Sequence, residues 1–132
     1  MPVLFPVHPR TRAALGERVS ALPRDLVLVD PVGYLDFLSL EADARAALTD
    51  SGGIQEETTY LGVPCFTLRD NTERPITIER GTNVLLGLDP ARIAEVPGLV
   101  AAAPTAPPVP PPLWDGHAAE RLAEVVVGRG RA

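Results

Sequence analysis

The 132-residue chain is predicted to be an α/β protein with a Rossmann-like parallel sheet covered by helices on both faces, on the strength of three observations. Short apolar runs at 3–5, 26–29, 46–49, 65–68 and 84–86 alternate with segments of helical spacing, the signature of strands joined by crossover helices. The connections leave room for a helix, which parallel neighbours need and hairpins do not. The stretch Leu48–Pro75, LTDSGGIQEETTYLGVPCFTLRDNTERP, reads as strand, Gly-rich turn, helix and strand, a complete βαβ unit.

Each element has its own warrant. Val3–Phe5 is a strand ended by Pro6 and Pro9. Arg12–Ser20 is a helix with Ala14, Leu15 and Val19 on its packed side, and Leu26–Val29 is a buried strand. The loop Asp30–Tyr34 precedes a helix over Leu35–Ala42, and Tyr34 is placed either to stack on a base or to pack. Ala46–Thr49 is the next strand, and Asp50-Ser51-Gly52-Gly53 breaks it sharply. Ile54–Leu61 gives two turns of helix, stopped by Gly62 and Pro64. Cys65–Leu68 and Val84–Leu86 are the last strands, and Pro90–Ala94 is a short helix. Residues 1–96 thus make one domain, the Pro- and Ala-rich stretch 97–112 a connector, and 113–132 a terminal segment with a helix over His117–Val127 and a frayed tail. Ala118, Leu122, Val125 and Val126 give that last helix one packing face, with Trp114 as its anchor and His117 exposed.

The Gly-rich turn carries the chemistry. Gly52 and Gly53 let a ligand approach the main chain, and the helix that follows opens with unpaired N–H groups and the positive end of its dipole. Ser51 adds a hydroxyl at the same mouth. Spacing puts Ile54, Glu57, Thr58 and Leu61 on one face, so Glu57 needs a polar partner such as a sugar hydroxyl, while Glu56 points elsewhere. The alternative is that both glutamates only complement the helix dipole. Arg69 and Arg74 follow the Cys65 strand at the carboxyl edge where ligands of parallel sheets gather, either to grip phosphate or to pair with Glu73. His8 lies beyond the first strand at the same kind of edge, as a cleft residue or as a helix cap.

Composition sets the bounds. A net charge of −5, with Lys absent, argues against a nucleic-acid surface. No apolar run is long enough to span a membrane, and no basic, then apolar, leader opens the chain, so a cytoplasmic setting is expected. The single cysteine, Cys65, fits that setting and reads as a packed small residue.

Thr49-Asp50-Ser51-Gly52-Gly53-Ile54-Gln55-Glu56-Glu57, then Leu61-Gly62-Val63-Pro64 and Thr72-Glu73-Arg74-Pro75, resemble the signature of the non-hydrolysing UDP-N-acetylglucosamine 2-epimerases. Phe5–Arg12, Gly81–Leu85 and Trp114-Asp115-Gly116 keep the same order. The resemblance implies a GT-B-like two-domain enzyme of which this chain is part of the C-terminal half, lacking the first strand of that half and the domain that carries the catalytic acids. It implies interconversion of UDP-N-acetylglucosamine and UDP-N-acetylmannosamine through UDP elimination and re-addition, without cofactor or metal. Ser51, Gly52 and Gly53 would hold phosphate, Glu57 the ribose hydroxyls, and Arg74 and His8 the diphosphate, His8 as the catalytic candidate. Partners would be UDP or UDP-N-acetylglucosamine and either a second copy or a separate N-terminal half. A non-catalytic UDP-sugar module and a GT-B glycosyltransferase donor domain are the alternatives. The absent strand is expected to leave a sheet edge and apolar surface uncovered.

Overall fold

The computed structural model describes residues 2–103 and 109–129, so the middle of the predicted connector and the end of the tail lie outside the described residues. The chain forms two compact units, residues 1–39 and 40–132.

In the first unit, β1 (Val3–Pro6) pairs in parallel with β2 (Leu26–Val29), with Val3 opposite Leu26 and Pro6 opposite Val29. The expectation that Leu26–Val29 is buried is corrected, since a two-stranded ribbon leaves its faces largely uncovered and Val3, Leu4, Phe5 and Val27 are all exposed. Among the described residues of this unit, Val7 alone is fully enclosed. Helix α1 occupies Pro9–Leu15 and continues as a tighter 3-10 turn over Gly16–Ala21. It starts three residues before the predicted Arg12 because Pro9 presets the helical φ in the first turn and His8 caps it. Helix α2, Tyr34–Ala42, begins in this unit, and Tyr34 stands exposed at its start rather than packed in a loop.

In the second unit, β3 (Ala47–Thr49), β4 (Cys65–Thr67) and β5 (Asn83–Leu85) form a parallel sheet in the order β3-β4-β5. Helix α3 (Gly52–Leu61) crosses from β3 to β4, and the short helix α4 (Pro75–Glu79) lies between β4 and β5. The sequence reading missed α4, which again opens on a proline. Helix α3 ends where Gly62 takes a left-handed φ of 75° and returns its N–H to the Thr58 carbonyl. Phe66, Leu86 and Val96 form the apolar core, with Ala46, Leu68, Leu99 and Val100 against it.

Residues 96–102 correct the predicted connector. They form helix α5 (Val96–Ala102), preceded by a 3-10 turn over Pro90–Glu95, and they complete the core through Val96, Leu99 and Val100. Pro97 reads as a breaker but stands in the first turn, where no intrahelical N–H is required. Helix α6 spans Ala118–Arg129 behind an Asp115 cap. Asp115 accepts from the His117 N–H (3.0 Å) and from both terminal nitrogens of Arg121 (2.9 Å each), which holds its carboxyl down at about 2. The Leu122, Val125 and Val126 face predicted to pack is more than half exposed. Among the described residues β1 pairs only with β2 and β3 only with β4, so each keeps one edge without a strand.

Gly81 shows how tightly the second unit is packed. A Cβ there would collide with the Thr59 side chain and the Thr77 carbonyl, whereas at Gly98, within α5, a Cβ would meet nothing. Urea denaturation of Gly81→Ala is therefore expected to show a loss of about 1–3 kcal/mol from overpacking. Gly98→Ala should gain about 0.5–1 kcal/mol from the reduced backbone entropy of the unfolded chain. Equal midpoints for the two variants would contradict this packing.

Candidate functional site

The carboxyl ends of β3 and β4 gather most of the predicted residues. Ser51 is the extended N-cap of α3, and its own N–H is taken by Thr49 Oγ1 (3.0 Å). Gly52 and Gly53 lie within the first turn of α3, two residues earlier than the helix predicted from Ile54, so their N–H groups are among the four that a helix leaves unpaired. The side chain of Arg74 lies across this turn. A Cβ built on Gly52 would sit 3.8 Å from Arg74 Cγ and 3.9 Å from its Nε. A guanidinium and a helix N-terminus thus meet at one place, and both favour an anion.

Arg74 pairs with Glu56, not with the Glu73 considered from sequence. Nε and Oε1 are 3.0 Å apart, yet the Nε–H finds no aligned acceptor, so the contact is charge pairing rather than a directed hydrogen bond. Both side chains are about two-fifths exposed. Such pairs contribute about 0–1 kcal/mol, little enough for a phosphate to displace.

What fixes the Arg74 backbone is a buried polar network. Gln55 is completely buried, and its Oε1 accepts from Thr72 Oγ1 (2.5 Å) and from Asn83 Nδ2 (3.1 Å). Thr72 Oγ1 in turn accepts the Arg74 N–H at 2.9 Å. Asn83 Nδ2 also donates to Thr77 Oγ1 (3.1 Å), whose hydroxyl donates to the Arg74 carbonyl at 2.7 Å. Thr67 Oγ1 closes the set by donating to Asn83 Oδ1 at 2.6 Å. Helix α3, strands β4 and β5 and the 72–77 segment are therefore tied together through side chains, and Arg74 is held at both its N–H and its carbonyl. Sequence reasoning gave Gln55, Thr72, Thr77 and Asn83 no role. The available signal was an amide on the same helix as the apolar positions, with a second amide opening the next strand.

Helical spacing also misplaced the buried face of α3. Gln55, Thr58 and Thr59 are the enclosed residues, while Ile54, Glu57 and Leu61 are only partly covered. Among the described residues Glu57 lies beside the carboxyl of Glu41, near the end of α2. Glu41 is only 4% exposed, and neither carboxyl oxygen has a donor. Burial, then the hydrogen bond to Glu57 and the charge of Glu57, push its carboxyl up to about 7. Cys65 faces the same carboxyl, and burial pushes its thiol up as well.

His8 belongs to the first unit and takes the capping role that sequence reading held as its alternative. Its Nδ1 accepts the Arg10 N–H at 3.2 Å, so the neutral ring carries its proton on Nε2. An open depression in that unit is lined by Pro6, His8, Pro31, Val32 and Phe37. Arg69 is partly buried beyond β4. His117 is exposed just before α6, with Nδ1 2.8 Å from Glu120 Oε2.

The UDP-N-acetylglucosamine 2-epimerase family profile matches residues 1–127, nearly the whole chain. The chain belongs to this family. A UDP-N-acetylglucosamine 2-epimerase of Methanococcus maripaludis is 48% identical over 95 residues, which cover 69% of this chain and 26% of the relative. A UDP-2,3-diacetamido-2,3-dideoxy-D-glucuronate 2-epimerase of Pseudomonas aeruginosa is 45% identical over 86 residues, covering 65% of the chain and 24% of the relative. The crystal structure of the Methanocaldococcus jannaschii UDP-GlcNAc 2-epimerase, in complex with UDP-GlcNAc and UDP, superposes with a TM-score of 0.80 at 37% identity. That match takes in 96% of this chain and 36% of the other, and it shares the Rossmann-like α/β class expected from the sequence. The chain spans about a quarter of the length of the curated 2-epimerases it matches. Among the described residues of this 2-epimerase family member, no helix is long and apolar enough to cross a membrane.

Two outcomes test this geometry. Asn83→Ala strips Gln55, Thr67 and Thr77 of a shared partner, and chemical denaturation should show a loss of at least about 1–3 kcal/mol, the cost of a buried group left unsatisfied. The second outcome concerns pH. A carboxyl whose folded value is raised holds its proton more tightly in the native state. Its contribution to stability is therefore full below the ordinary value of 4.5 and is lost as pH rises through about 7. Comparing wild type with Glu41→Gln, the midpoint difference should shift in favour of the variant between pH 5 and pH 8; a constant difference would contradict the raised carboxyl.

Proposed function

We propose that this chain is the UDP-binding part of a UDP-N-acetylglucosamine 2-epimerase that works in the cytoplasm, with UDP or a UDP-N-acetyl sugar as its ligand. The observation that carries this reading is Arg74 lying across Gly52 at the N-terminus of α3. There the guanidinium, the Gly52 and Gly53 N–H groups and the Ser51 hydroxyl can together take the oxygens of a diphosphate. Glu57 stands further along the same helix, and a carboxylate suits a vicinal ribose diol because it accepts two hydrogen bonds at once. His8, with its proton on Nε2, would donate to a phosphate oxygen and act as the acid for the departing UDP.

The reaction assigned to the parent enzyme is inversion at the sugar's C2. The proton at C2 is removed, the C1–O bond to UDP breaks to give an unsaturated sugar, and UDP adds back at C1 while C2 is reprotonated from the other face. This chain would contribute the grip on UDP as it leaves and returns, keeping the nucleotide close enough to re-add. Its partners would be a second copy or the remainder of the enzyme. The sugar itself is the open part of the reading, because both an N-acetylglucosamine and a diacetamido-glucuronate 2-epimerase are close relatives.

Calorimetric titration of UDP into the folded chain tests the binding half. Wild type is expected to bind, Arg74→Ala to lose at least tenfold in affinity, and Arg74→Lys to recover only part of it, because a point charge cannot bridge two oxygens. A folded chain that does not bind UDP, or binds it equally well without Arg74, would overturn the reading.

A further inference from the structure

Arg74 is held differently at its two ends. Its N–H and carbonyl are fixed by Thr72 and Thr77, while its guanidinium has Glu56 as its one ion-pair partner among the described residues. Glu56 stands four residues beyond Gly52 on α3, so the two share a face of that helix. Arg74 Nε lies 3.9 Å from the place of a Cβ on Gly52 and 3.0 Å from Glu56 Oε1, between the open N-terminus of the helix and the carboxylate. The charge that a phosphate would use there is already engaged. Glu56 gives the guanidinium little orientation in return, because the Nε–H finds no aligned acceptor and both side chains are about two-fifths exposed. Bracing is not needed either, since the backbone of Arg74 is set by the two threonines.

We infer that Glu56 is an internal competitor of the ligand's phosphate, an autoinhibitory contact that must open before Arg74 closes on a diphosphate. Carboxylate and phosphate are both anions that suit the same fork of donors, so the guanidinium serves one at the expense of the other. A half-exposed pair is weak enough that open and paired forms are both populated, and an affinity scaled by the open fraction is lowered by about two- to sixfold. A 2-epimerase gains from such tempering, because UDP gripped too tightly after elimination would have to be pulled from its site to re-add. The inference rests on the proposed grip of Arg74 on the diphosphate, and it adds what opposes that grip.

The test is calorimetric titration of UDP into the full chain as wild type, Glu56→Gln, Glu73→Gln and Arg74→Ala, and as the double variant Glu56→Gln with Arg74→Ala. Glu56→Gln should bind UDP about two- to sixfold more tightly than wild type. Glu73 is exposed and forms no ion pair among the described residues, so Glu73→Gln removes the same charge next to Arg74 in sequence and should bind as wild type does. In the Arg74→Ala background, Glu56→Gln should bring no gain, because the competitor has lost what it competes for. Equal tightening by Glu73→Gln, or a gain that persists without Arg74, would show a general charge effect and overturn the inference. If Arg74→Ala loses tenfold while Glu56→Gln binds no more tightly than wild type, the inference alone fails. If Arg74→Ala binds as wild type does, the grip itself fails and the inference falls with it. Glu56→Ala repeats the test with a side chain that can neither pair nor hydrogen-bond, and a result unlike that of Glu56→Gln would also count against competition by the carboxylate.

Discussion

The second unit depends on the buried amide of Gln55. Its Oε1 receives Thr72 and Asn83, and through them Thr67, Thr77 and both main-chain groups of Arg74 are fixed. Completely buried polar atoms are costly when unpaired, so removing a member of such a network destabilises the fold. This fixes the backbone of the 72–77 segment where the loop after β4 runs into α4. The rigidity has a chemical use. A loop arginine loses entropy when it closes on an anion, and one whose backbone is already set loses less.

The acidic residues near this site play opposite parts. Glu56 meets Arg74 in a half-exposed pair that a phosphate can replace at small cost. Glu41 is buried with no hydrogen-bond donor to its oxygens among the described residues, and burial pushes its carboxyl up. One carboxylate therefore tempers the positive charge of the anion site, while Glu41 is governed by its burial. The helix-dipole explanation considered for Glu56 and Glu57 from sequence accounts for neither contact.

Much of this was legible in the sequence. The βαβ unit from Leu48 to Pro75, the stop at Gly62 and the meeting of Ser51, Gly52, Gly53 and Arg74 at one sheet edge follow from apolar runs and turn chemistry, which are local. The failures are tertiary. Prolines 75 and 97 each stand in a first helical turn, where a proline does not break the helix, so α4 and α5 were missed. The buried face of α3 is polar, so apolar periodicity pointed to Ile54 and Leu61 instead of Gln55 and Thr59. The partner of Glu57 is a carboxyl from another helix, and nothing in the spacing of either helix marks that meeting.

The central claim is that the Gln55 network positions Arg74 for an anion. The most direct test is UDP affinity in Thr72→Val, which removes the hydroxyl shared by Gln55 and the Arg74 N–H while keeping the side chain's shape and leaving the anion-site groups themselves intact. The account predicts a folded protein whose UDP affinity falls about tenfold, the equivalent of roughly 1.4 kcal/mol. A folded Thr72→Val protein that binds UDP as tightly as wild type would contradict it.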